Sequence, residues 1–259
     1  MNYGMIIHML GWICYFEAVF MMLPVLVSVC YREAAGYAYL AVMALCAVTG
    51  FLATRRKIKS RRIYGRDGLV IVSLGWIVLS IFGALPFVIS GDIPSYVDAL
   101  FETISGFTTT GSSILTNVEG LSHTNLFWRS FTHWIGGMGV LVFILAILPM
   151  KAGGAGLHIM KAESPGPSVS KLVPKIRTTA MILYSIYFCM TVVQIIFMLL
   201  AGTPLFDAVT LSFGSAGTGG FAVKNDGLAS YTNLQQSIVT VAMIMFGVNF
   251  NVYYLLLRR

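Results

Sequence analysis

Two short runs hold most of the side chains and backbone able to do chemistry. One is Thr108-Thr109-Thr110-Gly111-Ser112-Ser113; the other is Ser215-Ala216-Gly217-Thr218-Gly219-Gly220-Phe221. Neither contains a charge. Hydroxyls and backbone carbonyls in such runs are neutral oxygen ligands, and glycine lets the chain adopt the backbone angles that aim carbonyls one way. Neutral oxygens that replace a hydration shell suit a monovalent cation that binds and then leaves. A Mg²⁺ or Ca²⁺ site would call for carboxylates instead. Each run follows a short segment that opens with the same dipeptide, Asp98-Ala-Leu-Phe-Glu-Thr-Ile-Ser-Gly-Phe107 and Asp207-Ala-Val-Thr-Leu-Ser-Phe-Gly214.

A single Thr-Thr-Thr-Gly is ordinary turn material. The glycine-rich run alone resembles a phosphate-binding nest, but no P-loop lysine follows it. Two such segments in equivalent places form a repeat, and a repeat has a positional logic. A short helix that stops within a membrane points its partially negative C-terminal end inward, which favours a cation. Irregular backbone at that depth is tolerated only where protein or a water-filled cavity surrounds it.

The elements around the runs supply that setting. Of the 259 residues 57% are hydrophobic and only 10% are charged, whereas a soluble domain carries roughly a quarter charged residues. Six apolar stretches, about Tyr3–Val29, Gly36–Ala53, Leu69–Ser90, Asn125–Met150, Thr178–Ala201 and Ser237–Leu257, are each long enough for a span. A bilayer core of ~30 Å needs about 20 helical residues at ~1.5 Å each. No basic n-region precedes the first stretch, so a cleavable signal peptide is not expected.

The net charge of +7 concentrates in connections between spans, as membrane topology requires, and no aromatic-basic platform for nucleic acid is present. Arg55, Arg56, Lys57, Lys59, Arg61, Arg62 and Arg66 place one loop in the cytoplasm. Lys151, Lys161, Lys171, Lys175 and Arg177 do the same for the segment 151–177. Gly91–Thr124 and Gly202–Tyr231, which hold the two runs, are then external, and both chain ends are cytoplasmic. His158 and the basic loops are left facing a cytosolic partner or anionic lipid.

The long stretches Ile81–Phe87, Asp98–Ser113, Phe127–Val140, Gly153–Pro167 and Ala216–Phe221 carry a resemblance to a known family. The chain resembles the Trk/Ktr/HKT potassium transporters, in particular their TrkH-type membrane subunits. That resemblance implies an all-α integral membrane protein with two N-terminal helices and two helix–pore loop–helix repeats. The divisions are then 1–66, 67–150 (first repeat), 151–177 (cytoplasmic linker) and 178–259 (second repeat). It further implies potassium uptake across a bacterial plasma (inner) membrane, K⁺ as transported ion with no bound cofactor, and a cytosolic nucleotide-binding regulatory subunit. The filter would be drawn from Thr108, Thr109, Thr110, Gly111 and Ser112 and from Ala216, Gly217, Thr218, Gly219 and Gly220. Asp98 to Gly111 is one residue longer than Asp207 to Gly219, so the register between the two runs is open by one. Members have four repeats and these residues hold two, so self-association or further C-terminal repeats are expected to complete the pathway. A non-conducting half is the alternative.

The remaining polar residues read more quietly. Asp98, Asp207 and Glu102 cap or flank the pore helices and draw cations to the mouth. His133 is a packing or hydrogen-bonding histidine, and Gly136, Gly137 and Gly139 allow close packing against the pore segment. Glu17 is an acid deep in the first span and is a functional candidate by position. Cys14, Cys30, Cys46 and Cys189 show no metal-ligand spacing. Paired carboxylates, a His/Cys metal set and a nucleophile elbow are all missing from the spans, so an enzyme is not expected.

Overall fold

A computed structural model of the chain describes residues 2–55, 65–139 and 176–257. The basic residues Arg56–Arg62, the end of the fourth apolar stretch and the segment 151–175 with Lys161 and His158 lie outside the described residues. Within them the regular structure is helical, as apolar runs require when each backbone N–H and C=O must find its partner inside its own segment.

Among the described residues ten helices follow in order: α1 Tyr3–Phe20, α2 Met22–Tyr31, α3 Gly36–Thr54, α4 Gly65–Ser90, α5 Tyr96–Phe107, α6 His123–Met138, α7 Ile176–Leu200, α8 Leu205–Ala216, α9 Asn233–Gly247 and α10 Phe250–Leu257. Helices α1 and α2 run on as one 29-residue apolar stretch, Tyr3–Tyr31. The joint lies at Met21 because Pro24 has no N–H to return to the preceding turn. Tyr3–Tyr31, Gly36–Thr54, Arg66–Ser90 and Ala180–Leu200 are the described helices long and apolar enough to cross a membrane. They match four of the six expected spans. The fourth expected span opens with α6, and its remainder lies outside the described residues.

The sixth expected span is corrected. Ser237–Leu257 is not one helix: α9 starts earlier, at Asn233, and stops at Gly247, and α10 resumes at Phe250. The early start comes from a capping box, in which Thr232 and Gln235 each bond the other's backbone N–H. The break lies at Val248, which is extended at ψ 140°. The carbonyl of Met245 accepts there from the Val248 N–H at 3.2 Å and from the Tyr253 hydroxyl at 2.7 Å.

The core centres on α6. Trp128 is fully buried and donates its indole N–H to the carbonyl of Gly83 at 2.9 Å. Phe107 and Tyr39 pack edge-on against its ring at centroid separations of 6.2 and 6.0 Å. The start of α6 is fixed by polar groups from three other segments. Ser122 caps it, and Asp92 accepts from the Ser122 N–H at 2.8 Å and from Asn125 Nδ2 at 2.6 Å. Asn125 Oδ1 in turn accepts from the Tyr39 hydroxyl at 2.6 Å.

Glu33, in the turn between α2 and α3, reaches the same helix end. Its carboxylate accepts from the backbone N–H groups of His123 and Thr124, both at 2.9 Å, and from Thr124 Oγ1 at 2.7 Å. A carboxylate over free N–H groups at a helix N-terminus is stabilised by both hydrogen bonds and the helix dipole. Burial pushes the Glu33 carboxyl up, but the bonds from Thr124 and His123 outweigh it and hold the group below its ordinary range.

Because that value is depressed, the stabilisation is complete above the unfolded-state value of about 4.3 and lost as pH falls through the folded value. Glu33→Gln is expected to cost about 1 kcal/mol at pH 7. Thermal melts of the detergent-solubilised protein between pH 3.5 and 7 should show the gap between wild type and variant closing at the acid end. A gap independent of pH would rule out the charge as its source.

Candidate functional site

The two runs lie at the C-terminal ends of the two short helices. Ser95 caps α5, accepting from the Asp98 N–H at 3.4 Å, and α8 starts directly after Pro204. Asp98 and Asp207 each sit in a first turn, where their charge complements the dipole. Both helices then unwind in the same way. Thr109 takes φ 54° and Gly111 φ 79°; Thr218 takes φ 58° and Gly220 φ 78°. Thr109 stands eleven residues after Asp98 and Thr218 eleven after Asp207, so the open register closes: Gly111 corresponds to Gly220, not Gly219. Ala216 ends α8 and Gly217 caps it, matching Phe107 and Thr108.

A left-handed φ on a β-branched residue costs about 1–3 kcal/mol and persists only where the surroundings impose it. Here the turn is tied back to its helix. Thr109 N donates to Gly106 O at 3.0 Å, Thr110 N to Ser105 O at 2.9 Å and Thr218 N to Ser215 O at 2.8 Å. The Thr108 hydroxyl donates to Ile104 O at 2.7 Å and lies 2.8 Å from that of Thr110. The side chains of Thr108, Thr110, Ser112 and Thr218 stay exposed. The two runs also meet: a methyl at Gly111 would overlap the carbonyl oxygen of Gly219.

Helix α6 is the post between them. A methyl at Gly136 would overlap Phe107 O, and one at Gly137 would lie 3.0 Å from Gly217 Cα and 3.1 Å from Ala216 O. These two glycines therefore admit one run each, in line with the close packing expected of them. Gly139 ends the helix at φ 77°. Further up α6, the buried Arg129 donates from Nε to Glu102 Oε1 of α5 at 2.5 Å, with side chains 3% and 0% exposed. Glu102 also accepts from Ser113 Oγ at 2.9 Å and Ile114 N at 3.0 Å. Arg129 Nη1 donates to Ala222 O at 2.8 Å, and its guanidinium lies 3.6 Å from the Phe221 ring centroid.

Glu102 is thus corrected from a mouth charge to half of an interior ion pair. It lies four residues into α5 from Asp98, on the face turned to α6. Arg129 was given no role by the sequence reading. The available signal was an arginine inside an apolar stretch, which almost always has a named partner. The position equivalent to Glu102 in the second repeat is Leu211, and that equivalent to Arg129, counted from the caps Ser122 and Thr232, is Val239. Leu211 and Val239 pack in one apolar cluster.

Outside the runs, the loops that follow them clasp. Asn225 Oδ1 accepts from Val118 N at 2.6 Å, and Asn225 N donates to Glu119 Oε1 at 3.0 Å. Asp207 accepts from the Tyr231 hydroxyl at 2.7 Å. Glu17 is not brought to the runs. Its carboxyl is fully buried against Gly83 of α4, without a hydrogen-bond partner. Among the described residues no group of three or more His, Cys, Asp or Glu could hold a metal ion.

A family model described as the cation transport protein TrkH matches residues 37–259. The potassium uptake protein TrkH of Vibrio parahaemolyticus is 34% identical over 261 residues, 98% of this chain and 53% of that protein. Its Escherichia coli counterpart is 35% identical over 243 residues, 92% of this chain and 50% of that one. The crystal structure of the potassium transporter TrkH from V. parahaemolyticus superposes with a TM-score of 0.82 at 30% identity, over 98% of this chain and 52% of the other. The chain therefore spans about half the length of the curated relatives it matches.

Removing one partner of the Glu102–Arg129 pair strands a buried charge, at a cost of about 3–5 kcal/mol. Arg129→Val alone should lower the melting temperature sharply. Combining it with Glu102→Leu, which copies the second repeat, should recover most of the loss. A double variant as unstable as the single one would mean that the bonds to Ser113, Ile114 and Ala222 matter more than the charge.

Proposed function

This chain belongs to the TrkH family of cation transport proteins, whose members are transporters rather than enzymes, and from that premise we propose that it lines one half of a potassium pathway. The observation that carries the reading is the pair of strained Thr-x-Gly turns, 109–111 and 218–220, held against each other at the C-terminal ends of two short helices. Carbonyls and hydroxyls from Thr108, Thr109, Thr110, Gly111 and Ser112 and from Ala216, Gly217, Thr218, Gly219 and Gly220 supply the filter. Each repeat contributes the negative end of one helix dipole as well. Backbone strain on two threonines costs stability and returns none of it locally, which is what a site kept for binding an ion looks like.

The organisation follows the same reading. Residues 1–66 are two N-terminal spanning units with their basic loop, and 67–150 and 178–259 are helix–pore loop–helix repeats. The segment 151–177 is a cytoplasmic linker, and the basic clusters put both ends in the cytoplasm of a bacterial plasma membrane. A cytosolic nucleotide-binding subunit would then meet the basic linker. Two repeats leave half of the oxygen ring open, so a second copy or two further repeats close it. The second reading, a non-conducting half that acts only when assembled with further repeats, is favoured by the chain's coverage of about half of its relatives.

The test is K⁺-limited growth and ⁸⁶Rb⁺ uptake in cells stripped of their own potassium uptake systems. Expression of the 259 residues is expected to restore both if two copies assemble. Gly111→Ser should abolish the rescue, because a side chain there is strained at φ 79° and collides with the facing run. Gly220→Ala should impair it in the same direction. No rescue by chains shown to reach the membrane leaves the half-pathway reading. Rescue that survives Gly111→Ser would sink the filter assignment.

A further inference from the structure

Helix α6 serves both repeats: one face meets its own short helix, α5, and the opposite face holds the next one, α8. On that second face Phe127, Phe131 and Trp134 surround Phe213 of α8 at centroid separations of 5.7, 5.4 and 5.9 Å. At the start of α6, His123 meets Phe206 edge-on at 5.0 Å. At its end Gly137 lies against the second run, as the 3.0 Å approach to Gly217 Cα shows.

Each half of this interface recurs in the chain, and among the described residues neither recurrence is covered. Counted from the caps Ser122 and Thr232, the face of α6 reappears on α9 as Asn233, Ser237, Val241, Ile244 and Gly247. Val241 is 55% and Ile244 66% exposed, where Phe131 is 3%. A methyl at Gly247 would meet nothing within 4 Å. Counted from Asp98 and Asp207, the face that α8 turns to α6 reappears on α5 as Val97, Ile104 and Thr108. Val97 is 73% and Ile104 42% exposed, and Thr108 is exposed too.

Lipid suits neither face. Asn233, Gln236, Ser237 and Thr240 run along α9 and, with Val241, line a groove of about 420 Å³. The open flank of α5 passes straight into the irregular backbone of the first run, which at membrane depth has to be enclosed by protein or by a water-filled cavity.

Resting on the filter reading above, we propose that a second copy of this chain covers both faces, α9 of each copy taking α5 of the other as α6 takes α8 within one copy. A two-fold axis along the ion path makes the two contacts identical, brings four runs round it and leaves no open half. Ser237, Val241 and Ile244 then surround the partner's Ile104. Gly247 admits the partner's first run, as Gly137 admits the second.

The test joins the two faces chemically. Differently tagged copies are co-expressed, one with Ile104→Cys and the other with Val241→Cys, both also carrying Cys30→Ser and Cys189→Ser to remove the exposed native thiols. A short bis-maleimide is applied to isolated membranes, and the mixed-tag dimer is read on a denaturing gel. The control pairs Ile104→Cys with Val48→Cys, on the exposed flank of α3. The Ile104–Val241 pair is expected to give the mixed dimer and the control none above background. Gly247→Phe fills the space left for the partner's run, and should abolish both the mixed dimer and ⁸⁶Rb⁺ uptake in the potassium-starved strain at unchanged membrane abundance. Cross-linking no greater than in the control would mean that lipid or a different chain covers these faces and would overturn the proposal, as would a mixed dimer that survives Gly247→Phe. Uptake lost in Gly111→Ser without any cross-link would leave the filter reading standing and the interface fallen. The cross-link together with uptake indifferent to Gly111→Ser would do the reverse.

Discussion

A guanidinium and a carboxylate share a dry site between α5 and α6, and most of the surrounding geometry is arranged to make that tolerable. Two charges buried at 3% and 0% exposure persist only if their remaining hydrogen-bonding capacity is filled. Glu102 meets that demand by gathering Ser113 and Ile114, which fixes the path of the chain just after the first run. Arg129 meets it by taking Ala222 O and lying over Phe221, which fixes the path just after the second. One ion pair thereby locates the exits of both runs relative to a single helix. Its energetic return as a pair is small; what it contributes is the position of α5 against α6.

The two repeats share a plan and differ in how they are held. Both begin with Asp in a helical first turn, and both leave the helix through a left-handed threonine followed two residues later by a left-handed glycine. Where the first repeat uses Glu102 and Arg129, the second packs Leu211 and Val239. Where the first continues with the small Ser112, the second inserts Phe221, 2% exposed, between Arg129 and His133. Each run is tied back to its own helix, the first through Ser105 and Gly106 and the second through Gly214 and Ser215, and each lies against a glycine of α6.

Strain and support are matched across the site. Thr109 and Thr218 occupy backbone regions that disfavour β-branched side chains, and the glycines of α6 bring rigid backbone against each turn. The N-terminal helices stabilise α6 from outside, through Glu33 at its first turn and Tyr39 on Asn125. Residues 2–55 therefore contribute to the runs by holding the post on which both lean.

Much of this was legible in the residues. Apolar length and basic loops are one-dimensional quantities, so four of the spans and the existence of α5 and α8 follow from the sequence to within about a turn. The runs were legible because threonine and glycine without charge, placed twice after Asp-Ala, leave few other uses. Three things were decided only by the tertiary structure. The early start of α9 depends on a capping box and the break at Val248 is accompanied by Tyr253 reaching Met245, neither of which a hydropathy window contains. The register between the runs depends on backbone angles at Thr218 and Gly220 rather than on counting glycines. The partnership of Glu102 with Arg129 joins residues on separate helices, and burial turned a carboxylate that reads as a mouth charge into an interior anchor. Local chemistry fixes what a segment will become; which of its polar groups must meet is settled only when the helices exclude water between them.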